Sequence, residues 1–237
     1  MSSNIDQRAS LGSSFMLEIS DLRKSYDNTQ VLRGINLKIK KAEMWTVLGA
    51  SGAGKTSLLH IIGSLDRPDA GKVVLNGTDI STLKGKSLDL FRNRAIGFVF
   101  QFHNLLPELS LLENVCLPGF ISGQKNKEVE KRARELLSFL GVSNRMHDKP
   151  HRCSGGEAQR TAIARALINL PDLILADEPS GNLDSKNALI MHQLFRKIQQ
   201  DLGQTSLIAT HNKELASFSD KITRIQDGKL IEDNANP

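Results

Sequence analysis

Apolar positions along the chain follow two rhythms. Short apolar runs come first, at Leu17–Ile19, Ile35–Ile39, Trp45–Leu48 and Val73–Leu75, with turn residues such as Asn76-Gly77 at their ends. Runs of that kind predict strands, and Ile96–Phe100 predicts another. A spacing of three and four then takes over. Val129, Ala133, Leu136, Leu137 and Leu140, closed by Gly141, predict a helix over Lys127–Leu140. Glu157–Leu167 predicts a second helix, and the stripe Ala188, Met191, Phe195, Ile198 and Leu202, closed by Gly203, predicts a third. Leu173–Ala176 and Ser206–Ala209 have the look of parallel strands buried on both faces. Ile222–Gln226, Asp227-Gly228 and Lys229–Ile231 predict a terminal hairpin.

Strands alternating with helices predict an α/β fold with a parallel sheet. The short strands crowded at the front predict an added antiparallel layer, and the stretch between about 102 and 157 reads as an inserted helical subdomain. The Ser-rich, aperiodic residues 1–15 read as a flexible tail. Met16 opens the first ordered-looking run and is a second candidate start beside Met1.

Composition adds constraints. A chain of 237 residues with 39% apolar and 24% charged residues holds one substantial core, which excludes disorder as the dominant state. Lys+Arg minus Asp+Glu is 31 − 26 = +5, a mild excess that permits a polyanionic partner without demanding one. Two cysteines, Cys116 and Cys153, lie far apart and lack metal-ligand spacing, so the chain reads as neither a disulfide scaffold nor a zinc site. No apolar stretch approaches the ~18–20 residues that span a bilayer, and the N-terminus lacks the apolar core of a secretory signal. The expectation is a cytoplasmic protein able to work at a membrane by holding an embedded partner.

The strongest chemical signal is GASGAGKT at 49–56, which fits G-x-x-x-x-G-K-[ST]. It follows the strand Trp45–Leu48 and precedes the apolar run Leu58, Leu59, Ile61 and Ile62, the context that a phosphate-binding loop requires. Backbone amides of Gly49, Ala50, Ser51, Gly52, Ala53 and Gly54 can turn around phosphate oxygens where side chains would block them. The following helix aims its positive end at the same anion. Lys55 can reach the terminal phosphates of a nucleotide, and the hydroxyl of Thr56, next to Ser57, is a hard ligand for Mg²⁺. This loop alone does not separate GTPases, small kinases and motor ATPases.

Asp177 and Glu178 stand at the carboxyl end of a buried strand, where open α/β sheets bind ligands. Asp177 can hold Mg²⁺, and Glu178 can accept a proton from water attacking a phosphate. Adjacent side chains on a strand point to opposite faces, which allows two roles. Without the upstream loop, the same acids read as a cap before Pro179. Ser154, Gly155 and Gly156 precede the helix Glu157–Leu167, a setting in which an anion can approach backbone amides closely. In isolation they read as a loop ending in an ordinary N-cap.

The phosphate loop, CSGGE at 153–157, LILADEP at 173–179, SGNLD at 180–184 and ATH at 209–211 occur in one order and spacing. In that set the chain resembles the ATP-binding-cassette (ABC) ATPases from about Met16 onward. FQFHNLLPELSLLENV at 100–115 resembles the lipoprotein-releasing and MacB-type branch. The resemblance implies one ABC ATPase domain over 16–234, with a P-loop NTPase core, an antiparallel β layer and a helical insert.

It also implies ATP and Mg²⁺ as ligands and a head-to-tail pair of cassettes with ATP between the phosphate loop of one and Ser154, Gly155, Gly156 and Glu157 of the other. Tyr26, the single tyrosine, matches the aromatic that stacks on adenine, the alternative being a surface tyrosine before a turn. Gln101 matches the glutamine that contacts Mg²⁺ and the attacking water. Glu178 matches the catalytic base. His211 matches the histidine that grips the γ-phosphate. Asp184 matches the aspartate that communicates across the pair, and it is also placed to cap the helix of the Ala188 stripe. Cys153 replaces a leucine of the family pattern and is a candidate redox-sensitive thiol.

The implied partners are integral membrane permease subunits, with no nucleic acid, and the implied place is the cytoplasmic face of a bacterial inner membrane. The branch carries two further readings, an exporter of the MacB type and a cell-division mechanotransmitter. A soluble ABC ATPase acting on DNA or ribosomes lacks support, because the chain holds neither a long coiled-coil insert nor a second cassette.

Overall fold

The computed structural model describes residues 14–232. Nearly all of the expected tail, the candidate start at Met1 and the last residues of the expected 16–234 domain lie outside the described residues. In chain order the elements are β1 (Phe15–Tyr26), β2 (Thr29–Lys40), β3 (Met44–Leu48), α1 (Lys55–Ile62), β4 (Ala70–Leu75), β5 (Thr78–Asp79), α2 (Gly85–Ala95), β6 (Ile96–Val99), α3 (Leu111–Ile121), α4 (Asn126–Phe139), α5 (Gly155–Leu167), β7 (Leu173–Asp177), α6 (Ser185–Leu202), β8 (Thr205–Thr210), α7 (Lys213–Ala216), β9 (Lys221–Gln226) and β10 (Lys229–Glu232).

They form two sheets. The first is antiparallel, in the order β2-β1-β4-β5. The second runs β10-β9-β3-β8-β7-β6 and is parallel throughout except for the β9–β10 hairpin. Its central strands divide two cores by alternation. Leu173 and Leu175 of β7 and Leu207 and Ala209 of β8 face α1 and the antiparallel sheet. Ile174, Ala176 and Ile208 face the opposite side, where Val115 of α3, Ile163 of α5 and Phe195 of α6 pack. A strand buried on both faces carries apolar residues in both registers, which is why these two runs looked continuous.

The first sheet behaves differently. β1 and β2 are far longer than the apolar runs inside them, because a strand with one wet face alternates and its polar flanks leave no apolar run. Two helices carried no usable period. α2 buries only Ala95, so it has no apolar stripe. α3 is apolar on nearly all sides and contains Pro118, so its pattern does not distinguish a face. Its start is nevertheless written locally, since Ser110 and Glu113 form a reciprocal capping box.

Candidate nucleotide site

The loop between β3 and α1 is shaped by glycine. Gly52 and Gly54 have φ of 78° and 104°, in the left-handed region that a Cβ disfavours. A Cβ on Gly49 would lie 2.7 Å from Ile225 Cγ2 and 2.8 Å from the Ile225 carbonyl oxygen, so this strand end must pass β9 without a side chain. α1 starts with no side-chain cap and no acid in its first turn. Its first amides therefore face the loop without a local acceptor, the condition for binding an anion. Lys55 is buried, and its Nζ donates to the carbonyls of Gly49 (2.8 Å) and Ala50 (3.1 Å).

A cleft of about 750 Å³ opens over this loop. Ala50, Ser51, Gly52, Gly54, Lys55, Thr56 and Ser57 form its floor, Gln101 one wall, and Asp177, Glu178 and His211 the end of the parallel sheet, with Tyr26 at the rim. Gly49 and Ala53 turn to a neighbouring hollow against β9. Five segments separated in sequence thus meet at one place.

Asp177 ends β7, and its Oδ1 is buried without a hydrogen-bond partner. Burial pushes this carboxyl above its ordinary value, a bond from the Thr56 hydroxyl pulls it back, and the neighbouring Glu178 charge pushes it up again. A buried, unsatisfied carboxylate oxygen beside a hydroxyl is the donor set of a hard divalent cation, so these residues fit Mg²⁺.

Glu178 departs from the sequence expectation. It does not alternate with Asp177 along a strand, because it lies past the end of β7 with φ of 45°. Its N–H still donates to the Ala209 carbonyl (2.8 Å), so the backbone stays tied to β8 while the positive φ redirects the side chain. The carboxylate consequently meets Lys55 Nζ at 3.5 Å and His211 Nδ1 at 3.0 Å. A non-glycine residue held in that region stores strain, a recurrent feature of functional sites. His211 remains two-thirds exposed at the cleft mouth.

Gln101 is tied to a residue that the motif reading had passed over. Its Nε2 donates to Asn182 Oδ1 and Asn182 Nδ2 donates to the Gln101 carbonyl, both at 3.2 Å. Only the position of Asn182 within SGNLD hinted at this. Tyr26 is 42% exposed and its hydroxyl donates to Asp66 Oδ2 at 2.7 Å. Asp66 carried no signal in the sequence.

The remaining candidates lie elsewhere. Ser154, Gly155, Gly156, Glu157 and Asp184 do not line the cleft. Gly155 and Gly156 are the first residues of α5 rather than a loop before it, since Ser154 takes the N-cap position. Ser154 N–H and Oγ donate to Glu157 Oε2 (2.8 and 2.9 Å), and Glu157 N–H donates back to Ser154 Oγ (3.3 Å). These bonds, with Arg145 at 3.5 Å, hold the Glu157 carboxyl below its usual range. Asp184 caps α6 by accepting from the Asn187 N–H (2.9 Å) and Nδ2 (2.7 Å), which likewise lowers its pKa. Burial, with the nearby Glu157 and Asp148 charges, raises the Cys153 thiol, which reduces its thiolate fraction.

The ABC transporter family model matches residues 32–181. The lipoprotein-releasing system ATP-binding protein LolD of Bacteroides thetaiotaomicron is 51% identical over 218 residues, covering 92% of this chain and all of that protein. The protein of the same name from Cytophaga hutchinsonii is 50% identical over 216 residues, 91% of this chain and 99% of that one. Among solved structures, the dimeric post-hydrolysis state of the ATP-binding cassette MJ0796, bound to ADP and Pi, is 37% identical with a TM-score of 0.83, covering 92% of this chain and 98% of that one. Built on that fold, with the phosphate loop, Asp177 and Glu178 converging on one cleft, the chain belongs to the ABC transporter family and is an ATP-binding, ATP-hydrolysing cassette of it.

Proposed function

We propose that this cassette powers release of lipoproteins from the bacterial inner membrane toward the outer membrane, working as a head-to-tail pair on the cytoplasmic face, bound peripherally to integral membrane permease subunits of the LolC/LolE kind. The observation that carries the paired arrangement is the division of the site. Most of the phosphate loop, with Lys55, Asp177, Glu178 and His211, lines one cleft, whereas Ser154, Gly155 and Gly156, at the capped start of α5, do not line it. A helix start of that kind suits the γ-phosphate of an ATP held by a second copy. The relatives named as lipoprotein-releasing ATPases, about half identical over nearly their whole length, support the cargo. Among the described residues no helix is long and apolar enough to cross a membrane, so the permease supplies the membrane path in this reading.

The chemistry follows from the side chains. Lys55 neutralises charge on the terminal phosphates. Glu178 accepts the proton of the attacking water, and His211 orients that carboxylate in the free cassette and grips the γ-phosphate in the closed pair. Thr56, Asp177 and Gln101 would hold Mg²⁺, which would supply charge neutralisation for the phosphoryl oxygens. Tyr26 receives the purine. Phe102, 69% exposed immediately after Gln101, and the half-exposed Leu106 offer the permease an apolar foothold beside the glutamine that senses nucleotide. The deciding experiment isolates the tagged chain from membranes, identifies its permease, and reconstitutes both in vesicles loaded with lipoprotein. ATP-dependent release of lipoprotein is the expected result. Co-isolation with an exporter or a division-type permease, without lipoprotein release, would replace the cargo assignment by one of those functions.

A further inference from the structure

The phosphate cradle and the purine platform are joined by one short piece of chain. α1 starts at Lys55 in the cradle and ends at Ile62, and the loop after it returns to the end of β1 that carries Tyr26. The return is tightly bonded. Asp69 N–H donates to the Arg23 carbonyl (2.9 Å), and Ser25 N–H donates to Asp69 Oδ2 (2.6 Å). Lys24 Nζ, only 11% exposed, donates to Asp66 Oδ1 (3.0 Å) and to the Arg67 carbonyl (2.8 Å), and lies 5.0 Å from the centre of the Tyr26 ring. Asp66 Oδ2 accepts the Tyr26 hydroxyl at 2.7 Å. Asp66 therefore uses both oxygens, one for the phenol and one for the ammonium that covers the ring.

We propose that Asp66 is a positioning residue for the nucleotide: it fixes the Tyr26 ring at a set reach from the phosphate cradle, so that the purine meets an already ordered platform. This rests on the reading of Tyr26 as that platform. The physical gain is preorganisation. An unpinned tyrosine at a cleft rim loses rotamer freedom when a base stacks on it, and a pinned one has lost that freedom on folding. The phenol is held above its ordinary pKa, by burial first and by the bond to Asp66 next, with the Ser57 hydroxyl and Lys24 acting in the opposite direction.

The test uses the full chain with Asp66→Ala, Asp66→Asn and Tyr26→Ala. ATP affinity is measured at equilibrium by displacement of a fluorescent ATP analogue, kcat and KM are measured separately, and ionisation of the single tyrosine is followed by ultraviolet titration. For Asp66→Ala the expected result is a rise of about threefold to tenfold in Kd and KM, the worth of one hydrogen bond. Its kcat is kept, and the tyrosine ionises at a lower pH. Asp66→Asn keeps an oxygen acceptor and restores most of the affinity. An unchanged Kd in Asp66→Ala, with weakened binding in Tyr26→Ala, overturns the role of Asp66 while sparing the platform. Unchanged binding in Tyr26→Ala removes the platform and the proposal with it. A loss of kcat in Asp66→Ala, with no change in Kd, also overturns it.

Discussion

Gly49 of the phosphate loop and Gly155 at the start of α5 stand in contrasting surroundings. Around Gly49 the chain itself leaves no room, since a Cβ would collide with Ile225 side chain and backbone below 3 Å. Around Gly155 the chain leaves ample room: the nearest atom to an added Cβ is Leu183 Cδ2 at 3.6 Å, an ordinary contact. Its φ is not in the left-handed region either. The first glycine is required by the fold of one molecule. Among the described residues no close contact requires the second, and in the proposed pair its role is to let a phosphate held by the partner copy approach the α5 amides. The same contrast separates Glu178, already engaged by Lys55 and His211, from Ser154, engaged only in capping its own helix.

Four substitutions can break or sharpen this contrast. The largest effect belongs to Glu178→Gln, which removes the proton acceptor but leaves the cradle intact. Steady-state hydrolysis should fall about 10²–10⁴-fold, while ATP binding persists and an ATP-bound pair accumulates on size-exclusion chromatography. Normal turnover would remove Glu178 from the chemistry.

Gly155→Ala comes next. Hydrolysis should drop about tenfold or more through the lost approach of phosphate to the α5 amides. Thermal stability and ATP binding by the single cassette should stay level, and stability can even rise by up to about 1 kcal/mol from better helix propensity. If binding to the monomer weakens in parallel, the two halves are not separate.

Gly49→Ala should act in the opposite sense. Overpacking against Ile225 should destabilise the fold by about 1–3 kcal/mol, visible as a lower urea midpoint before any nucleotide is added. An unaltered midpoint would show that β9 yields easily.

The smallest effect concerns Glu157. Its carboxyl is depressed by the Ser154 backbone and hydroxyl bonds. A depressed carboxylate contributes stability above its unfolded value and loses it as pH falls through the folded value. Glu157→Gln should therefore cost less than about 1 kcal/mol at neutral pH and flatten the acid limb of the stability profile. A wild-type acid limb in the variant would assign that limb to other carboxylates.

How much of this was legible in the sequence depended on whether residues act as neighbours in the chain. Gly49–Thr56 was readable because a phosphate loop is one contiguous turn between a strand and a helix. The caps Ser154 and Asp184 were readable because capping spans only three residues. Asp66 and Asn182 were not. Asp66 meets Tyr26 across 40 positions and Asn182 meets Gln101 across 81; no local pattern marks Asp66, and Asn182 is marked only by its place in SGNLD, which does not name its partner. α2 was hidden for a related reason, since a helix with one buried residue leaves no stripe to read.

The amino-acid order alone determined the α/β class, the phosphate loop, the acids at the end of β7 and the family resemblance, because each of these is a property of short contiguous segments and their spacing. Only the tertiary structure decided that Glu178 turns off its strand to face Lys55 and His211, that Tyr26 is held by Asp66, and that the Ser154–Glu157 segment stands apart from the cleft. Those outcomes come from backbone dihedrals and long-range hydrogen bonds, which form only after the two sheets have packed and brought distant segments within bonding distance.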